Sequence, residues 1–167
     1  MEDAVPDQSP AVAILTGSPN DVAKVSKAQE ALYQLGVASE LRVLSAHRTP
    51  ELVVEYVHDA ERRGVQVFIA CAGMANHLAG VVAAHTLRPV IGVPLAVGAL
   101  GGFDALLSTV QMPPGVPVAT VAVDGARNAG LLAARILALR DPGLLARLEA
   151  TLAAEGTKYS ATTAPSA

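Results

Sequence analysis

Three short stretches of the chain carry side chains able to do chemistry. Ser45-Ala46-His47-Arg48-Thr49-Pro50 sets an imidazole beside a guanidinium. Histidine changes charge near neutral pH and arginine does not, so the pair suits proton transfer on an anionic substrate. A solvated surface pair is the plain alternative, while Thr49 and Pro50 are explained as the cap and first turn of a helix. Gly17-Ser18-Pro19-Asn20-Asp21 reads as a helix start, with Ser18 as N-cap and Asp21 closing a capping box. The same free N–H groups and hydroxyl also make an anion site, most naturally for a phosphate. Ala72-Gly73-Met74-Ala75-Asn76-His77-Leu78 offers small residues that let backbone approach a ligand, with Asn76 and His77 as caps for the next helix.

The elements that must position these stretches follow from hydrophobic period. Ala11 to Thr16 is a short apolar run of the kind found in buried parallel strands, similar runs recur at Val65–Ala72, Pro89–Val93 and Val116–Val123, and a second strand is read over about Ala38 to Leu44. Between them the spacing predicts helices over Asp21–Leu35, Thr49–Arg63, His77–His85 and Asp104–Val110, then Asn128–Leu139 and a last helix from Asp141 to about Ala154. Five apolar strands alternating with helices imply an α/β fold: a three-layer αβα sandwich around a doubly wound, parallel five-stranded sheet, flavodoxin-like or Rossmann-like, with an added C-terminal helix. In such a fold the ligand site lies at the carboxyl ends of the strands where strand order reverses, so all three stretches are expected at one edge of the sheet.

Composition bounds the alternatives. With 51% apolar and 16% charged residues the chain must build a core, and with 3% aromatic residues that core is made of Ala, Val and Leu. A net charge of −3 with scattered basic residues excludes a general nucleic-acid binder. The 24 uncharged residues between Arg63 and Arg88 have the length of a membrane span, as do the 19 between Asp104 and Asp124. Gln66, Asn76, His77 and His85 interrupt the first and Pro113-Pro114-Gly115 the second, so both are read as parts of a soluble domain. Cys71 stands alone and the start Met1-Glu2-Asp3 lacks the character of a signal peptide, which makes the cytosol the expected location.

Taken together, the SAHRTP stretch, Gly17-Ser18 with Asp21, Ala72-Gly73 with His77-Leu78, Val110-Gln111-Met112-Pro113, Gly115 to Thr120 and Asn128 to Ala134 resemble the bacterial 5-(carboxyamino)imidazole ribonucleotide mutases of the purine-biosynthesis AIR carboxylase family. The resemblance spans about Ala11 to Leu148. It implies transfer of a carboxylate from the exocyclic nitrogen of N5-carboxyaminoimidazole ribonucleotide to carbon 4 of the ring, by decarboxylation and recarboxylation in a closed pocket. No metal, ATP or organic cofactor is implied. His47 is then the general acid and base, Ser18, Asp21 and Arg48 match substrate-binding positions for phosphate and ribose, and Asn20, Ser45, Ala72, Gly73, Met74, Asn76, His77 and Leu78 complete the expected substrate-binding set. Animal relatives that carboxylate directly carry Lys-Gly-Pro after the Ala-His, so Arg48-Thr49-Pro50 resembles the mutase class.

The chain departs from the family pattern at Asn20 (usually serine), Met74 (glycine), Asn76 (alanine), Ala79 (proline), His85 (lysine) and Ala96-Val97 (more polar). Met74 and Asn76 are expected to change the wall facing the imidazole. Two alternatives therefore stay open: a diverged relative acting on another imidazole or small substrate, and a non-catalytic nucleotide-binding module, from which a working His47 would distinguish an enzyme. The apolar stretch from Gly64 to Phe103 is expected to bury surface against further copies, and the resemblance implies a homo-octamer. The expected organisation is a flexible tail over 1–10, one α/β domain with its C-terminal helix over 11–155, and a flexible tail over 156–167.

Overall fold

A computed structural model describes residues 9–160, so most of the expected tails, 1–8 and 161–167, lies outside the described residues. The elements run β1 (Val12–Thr16), a 3-10 turn (Pro19–Asp21), α1 (Val22–Gln34), β2 (Ser39–Val43), α2 (Pro50–Arg62), β3 (Val67–Gly73) and α3 (Leu78–Ala84). They continue with β4 (Val90–Leu95), α4 (Phe103–Val110), β5 (Ala119–Thr120), α5 (Ala126–Ala138) and α6 (Pro142–Ser160). All strand pairs are parallel and the sheet order is β2-β1-β3-β4-β5. Order therefore reverses between β1 and β3, as the αβα sandwich requires.

Alternation of side chains across the pleat divides the core into two layers. Val12, Ile14, Val67, Ile69, Ile91 and Val93 face α1 and α5, with Leu144 of α6 closing that side. Ala13, Leu15, Phe68 and Ala70 face Val53 and Val57 of α2 and Leu78 and Val82 of α3. Because β1 and β4 are buried on both faces along their whole length, they read as unbroken apolar runs. Scarcity of aromatics is met by close approach of helices. Gly130 of α5 sits so near α1 that a Cβ there would lie 2.6 Å from the carbonyl oxygen of Ala28.

Three sequence expectations change. The fifth strand shrinks from Val116–Val123 to two residues: Pro117 has no N–H at its start, and after Val121 donates to Gly92 O the next ladder donor would be the nitrogen of Pro94. The ladder stops because of a proline in the neighbouring strand. α5 begins at Ala126, with Gly125 at its N-cap position, instead of at Asn128. α6 continues past Ala154 to Ser160, so residues 156–160 are helical. No helix among the described residues is long and apolar enough to cross a membrane.

The edge strand β2 is held from one side by charge. Glu40 accepts from Tyr56 Oη at 2.9 Å and from the Arg63 guanidinium, which also grips Asp59 at 2.7 Å. Burial alone would raise the Glu40 carboxyl, but hydrogen bonds from Arg63 and Tyr56 and the charge of Arg42 outweigh it and hold it below its ordinary range. This bracket fixes the strand whose end carries His47.

Candidate active site

A cleft of about 310 Å³ opens over the carboxyl ends of the strands on either side of the switch point, within the size range of small-ligand sites. Its wall takes Gly17, Ser18, Asn20 and Asp21 from the segment after β1. Ser45, Ala46, His47 and Arg48 come from the loop after β2. Ala72 and Gly73 close β3, Met74 and Ala75 lie in the loop beyond it, and Leu78 opens α3. The fourth contribution, Val97 from the loop after β4, was not singled out as a site residue by sequence, although the switch-point rule directs attention to every strand end there.

The β1 segment is built differently from a capping box. Ser18 Oγ accepts from the Asn20 N–H at 3.2 Å and caps the short 3-10 turn. Asp21 stands at the head of α1 without a capping hydrogen bond, so its carboxylate is left for the pocket wall. It is buried, and that burial pushes the carboxyl above its ordinary 3.8; Lys24 pulls it back and Asp124 adds to the rise. A raised folded-state value means that ionisation costs stability as pH climbs through it. Asp21→Asn should therefore melt higher than the parent near about pH 7, and the gain should vanish near about pH 3, where both side chains are neutral; a lower melting point at neutral pH would contradict this burden.

The β2 loop is cross-linked by its own hydroxyls. Thr49 Oγ1 accepts from Ser45 N–H and donates to Ser45 O, both at 3.1 Å, while Ser45 Oγ accepts from Arg48 N–H at 3.2 Å. Thr49 occupies the N-cap position of α2 but its hydroxyl makes no cap bond, because Ser45 holds it. The result is a closed turn that projects His47 and Arg48 outward. Arg48 has no acidic partner among the described residues, which leaves a guanidinium free for an anion.

The β3 loop brings a second imidazole to the first. His47 Nε2 and His77 Nδ1 are 2.8 Å apart, with ring planes inclined at 72°. One ring nitrogen donates and the other accepts, so the contact couples the tautomers of the two rings and leaves Nδ1 of His47 without a hydrogen bond among the described residues. His77 takes the N-cap position of α3 without a side-chain cap bond, as this contact occupies it. Met74 adopts φ 57°, a left-handed conformation that costs a residue with a Cβ about 1–2 kcal/mol, and it stays 58% exposed at the pocket rim. Gly73 cannot carry a Cβ, which would lie 2.6 Å from Val97.

Asn76 overturns its expected place. It is fully buried, donating through Nδ2 to Thr109 Oγ1 at 2.9 Å while its backbone N–H donates to Ser108 Oγ at 2.9 Å. Instead of facing a substrate, it bolts the loop carrying Met74 and His77 to α4. Ala79 is core as well, and His85 stacks edge-on with His58 away from the cleft, so of the departures from the family pattern only Asn20, Met74 and Val97 reach the pocket wall.

Fold and site together define a flavodoxin-like α/β enzyme with a histidine in the wall of its switch-point pocket. The profile of the AIR carboxylase family matches residues 11–158. An N5-carboxyaminoimidazole ribonucleotide mutase of Pyrococcus abyssi is 52% identical over 140 residues, covering 84% of this chain and 80% of that protein. One from Mycobacterium tuberculosis is 52% identical over 143 residues, covering 86% and 82%. The crystal structure of Treponema denticola PurE superposes with a TM-score of 0.83 at 31% identity, over 90% of this chain and 94% of that one. The chain belongs to the AIR carboxylase family.

Proposed function

We propose that this protein is an N5-carboxyaminoimidazole ribonucleotide mutase, moving the substrate's carboxylate from the exocyclic nitrogen to carbon 4 in the synthesis of purines. The observation that carries the reading is an imidazole and a guanidinium without an acidic partner among the described residues, presented together by one cross-linked turn into a pocket of ligand size, on a chain half identical to mutases. Arg48, Ser18 and Asn20 meet the phosphate, and Asp21 meets the ribose. The phosphate is remote from the reacting atoms, so its binding energy serves to position the ring against His47.

The steps balance in protons. The bond between nitrogen and carboxylate carbon breaks, His47 delivers a proton to the nitrogen, and carbon dioxide is freed. Carbon 4 then attacks the carbon dioxide and loses its proton to His47, which returns to its first state. Carbon dioxide offers no charge to grip, so it must be held by enclosure, to which Ala72, Gly73, Ala75 and Val97 are suited. Supplying N5-carboxyaminoimidazole ribonucleotide and following the carbon-carboxylated isomer tests the assignment; a folded sample that leaves only the uncatalysed breakdown product refutes it.

The protein works in the cytosol on this reading, where phosphorylated nucleotides are made, and as a homo-octamer. Leu100, Phe103, Leu107 and Val110 form an exposed apolar stripe at helical spacing along α4 and its approach, a surface that suits contact with further copies. Light scattering is expected to return about eight times the 17.0 kDa chain mass, and a monodisperse monomer would exclude the assembly.

A further inference from the structure

We propose that the Lys24–Asp124 ion pair anchors the Ala96–Gly102 loop over the pocket, and that this anchor keeps carbon dioxide inside between its release and its recapture. The second half rests on the carboxylate-transfer reading above. Lys24 Nζ lies 3.0 Å from Asp124 Oδ2 and donates to Ala96 O at 2.9 Å, while Ala96 N–H donates to Asp124 Oδ1 at 3.0 Å. Both polar groups of one peptide-chain residue are thus held, from α1 on one side and from the turn before α5 on the other.

The turn is built for that grip. Asp124 adopts φ 56°, which a glycine would take without strain, and its N–H is fastened to Pro94 O at 2.9 Å. Strain in an aspartate whose carboxylate meets a lysine and a backbone N–H points to a positioning role. Immediately beyond the gripped residue, Val97 lines the pocket and fills the space above Gly73. Gly98, Gly101 and Gly102 then follow at φ 77°, 59° and 88°. A loop so rich in glycine takes its position from its root, and the root is Ala96. Both charged side chains are 40% exposed, so the pair contributes little to global stability and acts on the loop instead.

Loss of the anchor has a chemical signature. In the closed pocket, carbon 4 attacks the carbon dioxide released from the same substrate molecule. In an open one the gas escapes and the decarboxylated ribonucleotide is left to leave or to take up carbon dioxide from solution. The test uses substrate carrying carbon-13 in its carboxylate, in excess unlabelled bicarbonate, with breakdown in enzyme-free controls subtracted. The parent product is expected to keep the label. In Lys24→Met and Asp124→Gly the fraction of turnovers that lose it should rise roughly threefold or more, the scale of an exposed pair. The double variant should lose no more label than either single one, since the two act as a unit, and Lys24→Arg should restore retention.

Amide hydrogen exchange, measured without substrate, judges the anchor separately from the chemistry. Ala96 and Val97 amides should exchange about tenfold faster in Asp124→Gly than in the parent. Unchanged exchange in the folded variants overturns the anchor. Faster exchange with full label retention overturns its role in holding carbon dioxide. A parent enzyme that transfers no carboxylate would refute the function proposed above, while the exchange result would still decide whether the pair anchors the loop.

Discussion

His47→Asn is expected to bind the ribonucleotide nearly as the parent does and to lose about 10³-fold in turnover, the usual contribution of a positioned proton-transfer group. That loss corresponds to about 4 kcal/mol of transition-state stabilisation. Asparagine keeps hydrogen-bonding capacity at the position but cannot carry a proton from ring carbon to exocyclic nitrogen. Binding should survive because Arg48, Ser18 and Asn20 sit on segments held by their own bonds, Ser45 Oγ to Arg48 N–H and Ser18 Oγ to Asn20 N–H, neither of which involves the imidazole. The fold should survive too, since His47 is exposed and its one side-chain hydrogen bond among the described residues is to His77. Calorimetric binding of the decarboxylated ribonucleotide, set beside steady-state rates, separates the two effects. Turnover within a few fold of the parent would remove His47 from its role.

Gly130→Ala is expected to be strongly destabilising although it lies away from the site. The added methyl would stand 2.6 Å from Ala28 O and 3.2 Å from Ala28 Cα, both backbone atoms that cannot swing aside. α5 must move away from α1, loosening the core layer that holds Ala28, Ala129 and Ala133. Overpacking of this kind costs about 1–3 kcal/mol, and in a chain of this size each kcal/mol lowers the melting temperature by about 2–4 °C. Because α1 follows directly on Asp21, the substrate KM should also rise. A melting temperature equal to the parent's would show that the two helices have slack and that the alanine-rich packing is looser than the distances state.

The central strands were legible because burial on both faces writes an uninterrupted apolar run, as in Val12–Thr16 and Val67–Gly73. The fifth strand misled because its length is set partly by Pro94, an atom pattern in a different strand that no local window contains. At the site, His47 and Arg48 could be singled out since neither helix capping nor packing accounts for them. Asn76 and Met74 lie two residues apart in one loop, and only the three-dimensional turn decides that one enters the core while the other meets the pocket. Asp21 is the converse: a residue with a ready capping explanation that the structure frees from it. Lys24 and Asp124 were out of reach for a different reason, as their meeting across 100 positions depends on the packing of α1 beside the turn that opens α5.

The proposed chemistry is tested most directly by offering the enzyme two starting points side by side: N5-carboxyaminoimidazole ribonucleotide alone, and the decarboxylated ribonucleotide with bicarbonate. Carboxylate transfer within an enclosed pocket predicts that the first forms the carbon-carboxylated product at least about tenfold faster at equal concentration, and that His47→Asn slows both reactions by about 10³-fold. Equal or faster product from the decarboxylated ribonucleotide and bicarbonate would contradict it.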